Sequence, residues 1–305
     1  MSSAREIQLR MNSIRQTKKI TNAMYLISSA KMRKAKQDLD QTRPYFLALK
    51  GEIKRIFRTS GHAESRYLYP DEHEPPLNGT YGCLVITADK GLAGAYNQNV
   101  LREAHRMLTE HPDTKLFVVG EYGRQYFQRH NIPIEHISLY TAQNPTMQRA
   151  RDITVELLER FDRGELEKIF IIYTDLKNGL TENVHSMRLL PFHRSAFSAP
   201  ADEKEIVEPF EFFPSVTEVL NSIVPSYVSG LIYSALIDSF CSEQSARMSA
   251  MDAANRNADK ALGELSLSYN RVRQAAITQE ITEVSAGARA QRKKHEKQQV
   301  RGNEL

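Results

Sequence analysis

Two long stretches, one at each end of the chain, repeat apolar residues at helical spacing, and this constrains the fold more than any other feature. From Ser226 to Gln291 a continuous helix would be on the order of 100 Å long at 1.5 Å per residue, and no globular domain within 305 residues needs such a rod. Along it Met251, Ala258, Leu262, Leu265, Tyr269, Val272 and Ala276 fall at alternating three- and four-residue steps, the mark of a coiled-coil seam. Asn255 and Gln279 are polar intrusions, as expected where register matters more than stability. Pro214–Val224 begins this segment and Pro225 is expected to kink or restart it. The charged tail QRKKHEKQQVRGNEL is expected to fray.

The opening segment matches it. It has no glycine before Gly51 and is rich in helix formers. Ile7, Met11 and Ile14 share one face, and Ile20, Met24 and Ile27 form a second stripe slightly out of phase. From Met32 a seven-residue spacing runs through Leu39, Phe46 and Ile53, with Ala35, Leu49 and Ile56 in companion positions. The drift between stripes predicts an irregular supercoil. Arg43-Pro44 should kink or break the helix, Ser60-Gly61 should end it, and residues 60–80, with Pro70, Pro75, Pro76 and Gly79, read as a loop.

Between the ends, strands and helices alternate. Strands are expected at Tyr81–Thr87, Lys115–Val119 and Lys168–Thr174, a weak one near Ile134–Ile137, and a last one at Val184–Leu190. Helices are expected at Asn97–His111, near Glu121–His130, and at Thr146–Asp162. Short links between strand and helix imply βαβ units and a mostly parallel sheet. Residues 192–213 are irregular and acidic, with Asp202, Glu203, Glu205, Glu208 and Glu211. The expected architecture is an α/β fold plus a long antiparallel coiled coil. The terminal helices, 1–59 and 214–291, form a shaft. Residues 60–213 form a Rossmann-like, mostly parallel sheet with flanking helices, and 292–305 is a charged tail.

Charge sharpens the division. The net formal charge is +4, too mild to announce nucleic acid. Residues 1–58 hold 14 Lys/Arg against 4 Asp/Glu, residues 59–213 hold 16 against 23, and residues 214–305 hold 11 against 10. The average therefore hides a strongly basic first helix. Only Cys83 and Cys241 are present, which excludes a disulfide framework or Cys-rich zinc module and suits a reducing compartment. The N-terminus lacks the apolar core of a secretory signal. The most apolar stretch, Tyr227–Cys241, holds Asp238 and falls short of the ~20 apolar residues of a membrane span.

Chemistry-bearing motifs are few. The loop Thr87-Ala88-Asp89-Lys90-Gly91-Leu92-Ala93-Gly94-Ala95-Tyr96-Asn97 is a glycine-bearing strand-to-helix turn that could cradle phosphate on helix amides. Its GxxG spacing is neither GxGxxG nor a GK[ST] loop, so a tight turn with an exposed tip is the plainer reading. GxSxG and HExxH are absent. His62 and His73 lack a ligand framework, and His185 and His193 read as surface or core-edge residues. Asp175 ends a strand where α/β enzymes place catalytic groups, although a lone carboxylate there is more often a turn cap. The run Lys31-Met32-Arg33-Lys34-Ala35-Lys36 is a dense cationic patch. It lacks the aromatic interleaving of single-strand binders, so an acidic protein surface fits it better than nucleic acid; a solvated helix face is the bland alternative.

The opening REIQLRMNSIRQTKKITNAMYLISSAKMRKA, the closing ARMSAMDAANRNADKALGELSLSYNRVRQAAITQEITEVSAGA and the loop TADKGLAGAYN together resemble the gamma subunit of F-type ATP synthases, the loop carrying Ala93 where many members have Cys. The resemblance runs in order over nearly the whole chain. It implies a rotor shaft inside a hexamer of alternating catalytic and non-catalytic subunits, with a foot that binds the epsilon subunit and the membrane rotor ring. The shaft would couple ion translocation to ATP synthesis or hydrolysis, and would regulate ATPase activity and ion flow. The ATP sites lie in other chains, so no catalytic residue, cofactor or metal of its own is implied.

Carried over position by position, the resemblance implies contacts with the catalytic subunits at Met24, at Lys31, Arg33 and Lys34, at Asp89, Lys90 and Gly91, and at Arg273, Gln274 and Thr278. Each is otherwise a solvated helix position or a turn. The expected setting is peripheral, at the cytoplasmic face of a bacterial membrane, with proton or sodium coupling left open. A stand-alone nucleotide-binding α/β protein and a coiled-coil nucleic-acid adaptor are the competing classes. The first predicts nucleotide binding by the isolated chain, the second strongly salt-dependent DNA binding.

Overall fold

The computed structural model describes residues 3–59, 65–69, 79–135, 142–177, 181–193, 197 and 211–302. Two compact units emerge, Tyr25–Ala250 and the pair Met1–Met24 with Met251–Leu305. Helix α1 (Ala4–Thr59) and helix α5 (Val216–Gly302) each contribute to both.

The larger unit holds a sheet of β1 (Tyr81–Ile86), β2 (Lys115–Val119), β3 (Lys168–Lys177) and β4 (Thr181–Leu190), in the order β2-β1-β3-β4. β1 pairs in parallel with β2 and β3, and β4 closes the edge antiparallel to β3. Between the strands lie α2 (Tyr96–Glu110), α3 (Glu121–Arg129) and α4 (Met147–Asp162). Alternation sorts the two faces. Tyr81, Cys83 and Val85 of β1 pack with Val100, Leu101, Met107 and Phe127 of α2 and α3. Leu84 and Ile86 face the other way, joining Ile153 and Leu157 of α4, Ile53 and Ile56 of α1, and Leu220, Val224 and Ile232 of α5. The basic helix and the long C-terminal helix are therefore built into the core of this unit. At Gly230 they come so close that an added Cβ would lie 2.1 Å from the Phe46 ring.

Several local expectations change. α1 runs unbroken through Pro44 and α5 through Pro225. Each proline removes one helical hydrogen bond. Pro44 is solvent-exposed, so water can serve the freed carbonyl, while packed neighbours hold the flanking turns. α5 begins with a serine cap, Ser215 Oγ accepting from Glu218 N at 3.2 Å. It continues through the charged tail to Gly302.

Residues 134–135 are not a strand. Glu135 N donates to Leu116 O at 2.7 Å, one bond to β2 without a ladder. Residues 136–137 of the expected weak strand lie outside the described residues. The 60–80 segment is not wholly loop: Tyr67, Leu68 and Tyr69 are buried, and they bridge Phe192 through paired backbone bonds. Residues 60–64 and 70–78 of that segment, with His62 and His73, and Asp202, Glu203, Glu205 and Glu208, lie outside the described residues.

α5 also contains a window apolar enough by length and composition to cross a membrane, with mean hydropathy 1.3, against the expectation from Tyr227–Cys241. That window is 61% buried within the protein, and a helix apolar on most sides is what a core position requires.

In the smaller unit the N-terminal residues run antiparallel to α5. Lys18 pairs with Asp259, and Thr21 Oγ1 bonds Asn255 Oδ1. Ile7 and Met11 are buried, while Leu262, Leu265, Tyr269 and Val272 are half-buried. The expected second stripe is not one: Ile20 and Ile27 are exposed and only Met24 is half-buried. The seam of this unit instead passes through Ile14, Lys18 and Thr21, in heptad register with Ile7 and Met11. Lys18 and Thr21 occupy it here and find partners across it, so the apparent phase drift reflects a change from apolar to polar residues within one register.

Candidate interaction surface

The loop after β1 is held by its own side chains. Thr87 Oγ1 donates to Val119 O at 2.9 Å and accepts from Gly123 N at 3.0 Å. Ala88 N donates to Asn97 Oδ1 at 2.9 Å, closing the loop across its base. Leu92 and Gly94 take left-handed backbone conformations, with φ of 62° and 54°. The amides of Ala88 and Tyr96 are thus already committed to protein acceptors at the base of the turn.

Asp89 is a structural clasp. Its carboxylate accepts from the amides of Glu121 (3.1 Å), Ala142 (2.9 Å) and Gln143 (3.1 Å), tying α3 and the 142–143 segment to the loop. That leaves Lys90 and Gly91 as the exposed tip. The Gly91 carbonyl accepts from Arg247 Nη2 at 3.2 Å, and Arg247 Nη1 pairs with Glu243 at 2.6 Å. Both side chains are almost wholly buried. Burial pushes the Glu243 carboxyl up, Arg247 opposes that, and Asp89 and Lys31 act on it from further off with opposite signs. Glu243 and Arg247 therefore bring Lys31, Asp89 and Gly91 into one electrostatic neighbourhood. A basic residue four positions after an acidic one on a helix was their only sequence signal.

Lys31, Arg33 and Lys34 are exposed on α1. Lys31 and Lys34 border a cleft of about 290 Å³ shared with Asp38, Asn144, Pro145 and Phe240. Asp175 lies within β3, not at a turn. It is 3.1 Å from His185 Nε2, off the alignment of a hydrogen bond. Nearby Asp238 on α5 is pushed up to about 6 by burial and by Asp175, with Arg43 and Lys36 pulling it back. Among the described residues no group of three or more His, Cys, Asp or Glu could hold a metal.

In the smaller unit Met24 is half-buried, and Arg273, Gln274 and Thr278 are exposed. The antiparallel pairing at Thr21–Asn255 places Met24 roughly 30 Å along α5 from Arg273, so the two are separate contact points. From Arg273 to Arg292 every residue is exposed, including Ile277, Ile281 and Val284, which recur on one helical face.

Comparison with known proteins bears on these surfaces. The sequence profile of a family described as ATP synthase matches residues 3–291. The ATP synthase gamma chain of Caldanaerobacter subterraneus subsp. tengcongensis is 42% identical over 292 residues, covering 93% of this chain and 98% of that one. Among solved structures, a chain of the central stalk and c-ring of Tetrahymena thermophila mitochondrial ATP synthase aligns with TM-score 0.58 and 25% identity, over 77% of this chain and 99% of its own. A chain of Euglena gracilis mitochondrial ATP synthase, in a structure of its OSCP, F1 and c-ring, shares the fold with TM-score 0.63 over 94% of each chain at 15% identity. With a profile matched almost end to end and a gamma-chain relative above 40% identity, this chain belongs to the ATP synthase gamma-chain family.

Proposed function

We propose that this chain, the non-catalytic central-stalk rotor subunit of an ATP synthase, couples ion translocation through a membrane rotor ring to ATP synthesis and hydrolysis in a surrounding head. It also regulates ATPase activity and ion flow. The observation that carries this reading is the run Arg273–Arg292, helical and exposed on every side. A rod with apolar Ile277, Ile281 and Val284 uncovered fits insertion into a sleeve supplied by other chains.

The partners are the alternating catalytic and non-catalytic head subunits, the ring, and an epsilon subunit bound at the foot. Residues 1–59 and 214–291 serve as the shaft, 60–213 as the foot and 292–305 as a charged extension. The setting is peripheral, at the cytoplasmic face of a bacterial membrane. Contacts to the catalytic subunits are made by Met24, by Lys31, Arg33 and Lys34, by the Lys90-Gly91 tip that Asp89 positions, and by Arg273, Gln274 and Thr278. Wet ion pairs are individually weak, so a basic surface can exchange acidic partners at each step without a deep trap. An asymmetric rod shifts each catalytic site only through contacts that differ between its states.

The test is the double variant R273A/Q274A in membranes. Losing charge-assisted hydrogen bonds should lower ATP synthesis and ATP-driven pumping. Unchanged synthesis and pumping would remove these residues from the contact set. Met24→Lys should lower pumping per ATP by over-stabilising one rotor position; a normal ratio would argue against a contact there.

A further inference from the structure

Among the described residues α5 is fastened to the strands of the sheet by directional bonds at Thr174. β1 pairs with β3 as far as Val85 opposite Ile172. Two residues on, Thr174 has no β1 neighbour, yet it is 2% exposed. Its amide and carbonyl turn to α5: Thr174 N donates to Ser239 Oγ at 3.2 Å, and Ser242 Oγ donates to Thr174 O at 3.1 Å. Both serines are buried, at 1% and 0% exposure. The same strip of α5 continues with Ala246, packed on Ala88, Ala93 and Tyr96, and with Arg247 on the Gly91 carbonyl. Ser239, Ser242 and Ala246 thus share one helical face, with Arg247 at its margin.

Elsewhere in this unit α5 is held mainly by apolar side chains. Further polar bonds, Ser65 Oγ to Asn221 Oδ1 at 2.8 Å and the weak Cys241 Sγ to Met32 O, reach a loop and α1 and leave the sheet untouched. Apolar burial is non-directional, so it opposes separation better than it opposes rotation of a helix about its own axis. A buried backbone amide and carbonyl lose their partners as soon as the helix turns. We propose that Ser239 and Ser242 are positioning residues that lock α5 against axial rotation, so that torque entering the foot is delivered along the helix. This rests on the rotor reading above.

The test uses the assembled, membrane-bound complex carrying S239A/S242A, with S242A alone as the milder variant because it frees only a carbonyl. ATP hydrolysis should stay near the parent rate while ATP-driven ion pumping per ATP hydrolysed falls in the double variant by at least about fivefold, the population change expected from losing even one of its two bonds. S242A should give a smaller fall in the same direction. If the double variant does not assemble, the single variant gives the reading. Pumping per ATP equal to the parent in the assembled variants overturns the lock. So does a proportional loss of hydrolysis and pumping, which would mark a purely structural role. If the parent complex itself fails to pump, the rotor reading fails instead.

Discussion

α5 is one helix with two physical regimes. Between Leu220 and Met251 most positions are buried, and buried polar groups there find partners: Ser229 on Pro225 O, Ser239 and Ser242 on Thr174, Glu243 on Arg247. Between Arg273 and Arg292 nothing is buried, and apolar Ile281 and Val284 are 61% and 72% exposed. The first stretch is stabilised by tertiary contacts. The second relies on helix propensity and on local bonds such as Gln279 to Glu283 at 2.9 Å. In the first stretch a substitution should therefore change folding, and in the second it should change assembly.

The largest expected effect comes from Arg247→Ala. It strands Glu243, which is 2% exposed, and removing one member of a buried pair costs about 3–5 kcal/mol. Denaturant unfolding of the purified chain would show it, and a loss below ~1 kcal/mol would place the pair in the weak regime of the exposed stretch. Gly230→Ala comes next. Its Cβ would meet the Phe46 ring, and overpacking of this kind costs about 1–3 kcal/mol, read in the same unfolding curves.

Asp238→Asn sharpens the comparison through pH. The Asp238 carboxyl is raised from 3.8 to about 6 by burial and then by Asp175, so its ionisation opposes folding. The parent chain should lose stability as pH rises from about 4 through 6, and the variant should not. Near pH 7 the variant should be the more stable by about 1–2 kcal/mol, allowing for partial exposure. Near pH 4 the difference should vanish. Parallel stability–pH curves would show that the carboxyl is not strained. The smallest effect belongs to Ile281→Ala, which should shift the stability of the chain alone by less than ~0.5 kcal/mol while weakening co-purification with the head subunits. A large loss in the isolated chain would show that the exposed stretch has an internal partner.

Much of this was legible in the sequence. The apolar repeats marked both helices, and the alternation of strand and helix marked a mostly parallel sheet. The second stripe, Ile20–Met24–Ile27, misled because an apolar-only rule skips Lys18 and Thr21, which hold the seam through Asp259 and Asn255. Of the two outcomes expected at Pro44 and Pro225, a break is not seen, because tertiary packing holds a helix that has lost one hydrogen bond. Of the site residues, Lys31, Arg33, Lys34, Arg273, Gln274 and Thr278 lie exposed as contact residues need. Asp89 turns inward to clasp Glu121, Ala142 and Gln143, which no motif discloses because its partners are distant backbone amides.

Local periodicity and composition were enough to establish two long helices, their polarity, the strand alternation, and a basic charge gathered in the first helix. Only the tertiary structure decided which stretches of those helices are core and which are bare. It also decided that β4 runs antiparallel, that Thr174 hands its bonds to Ser239 and Ser242, and that Glu243 and Arg247 support the Gly91 loop. Periodicity specifies a face, whereas burial and hydrogen-bond partners are set by whatever the fold brings opposite that face.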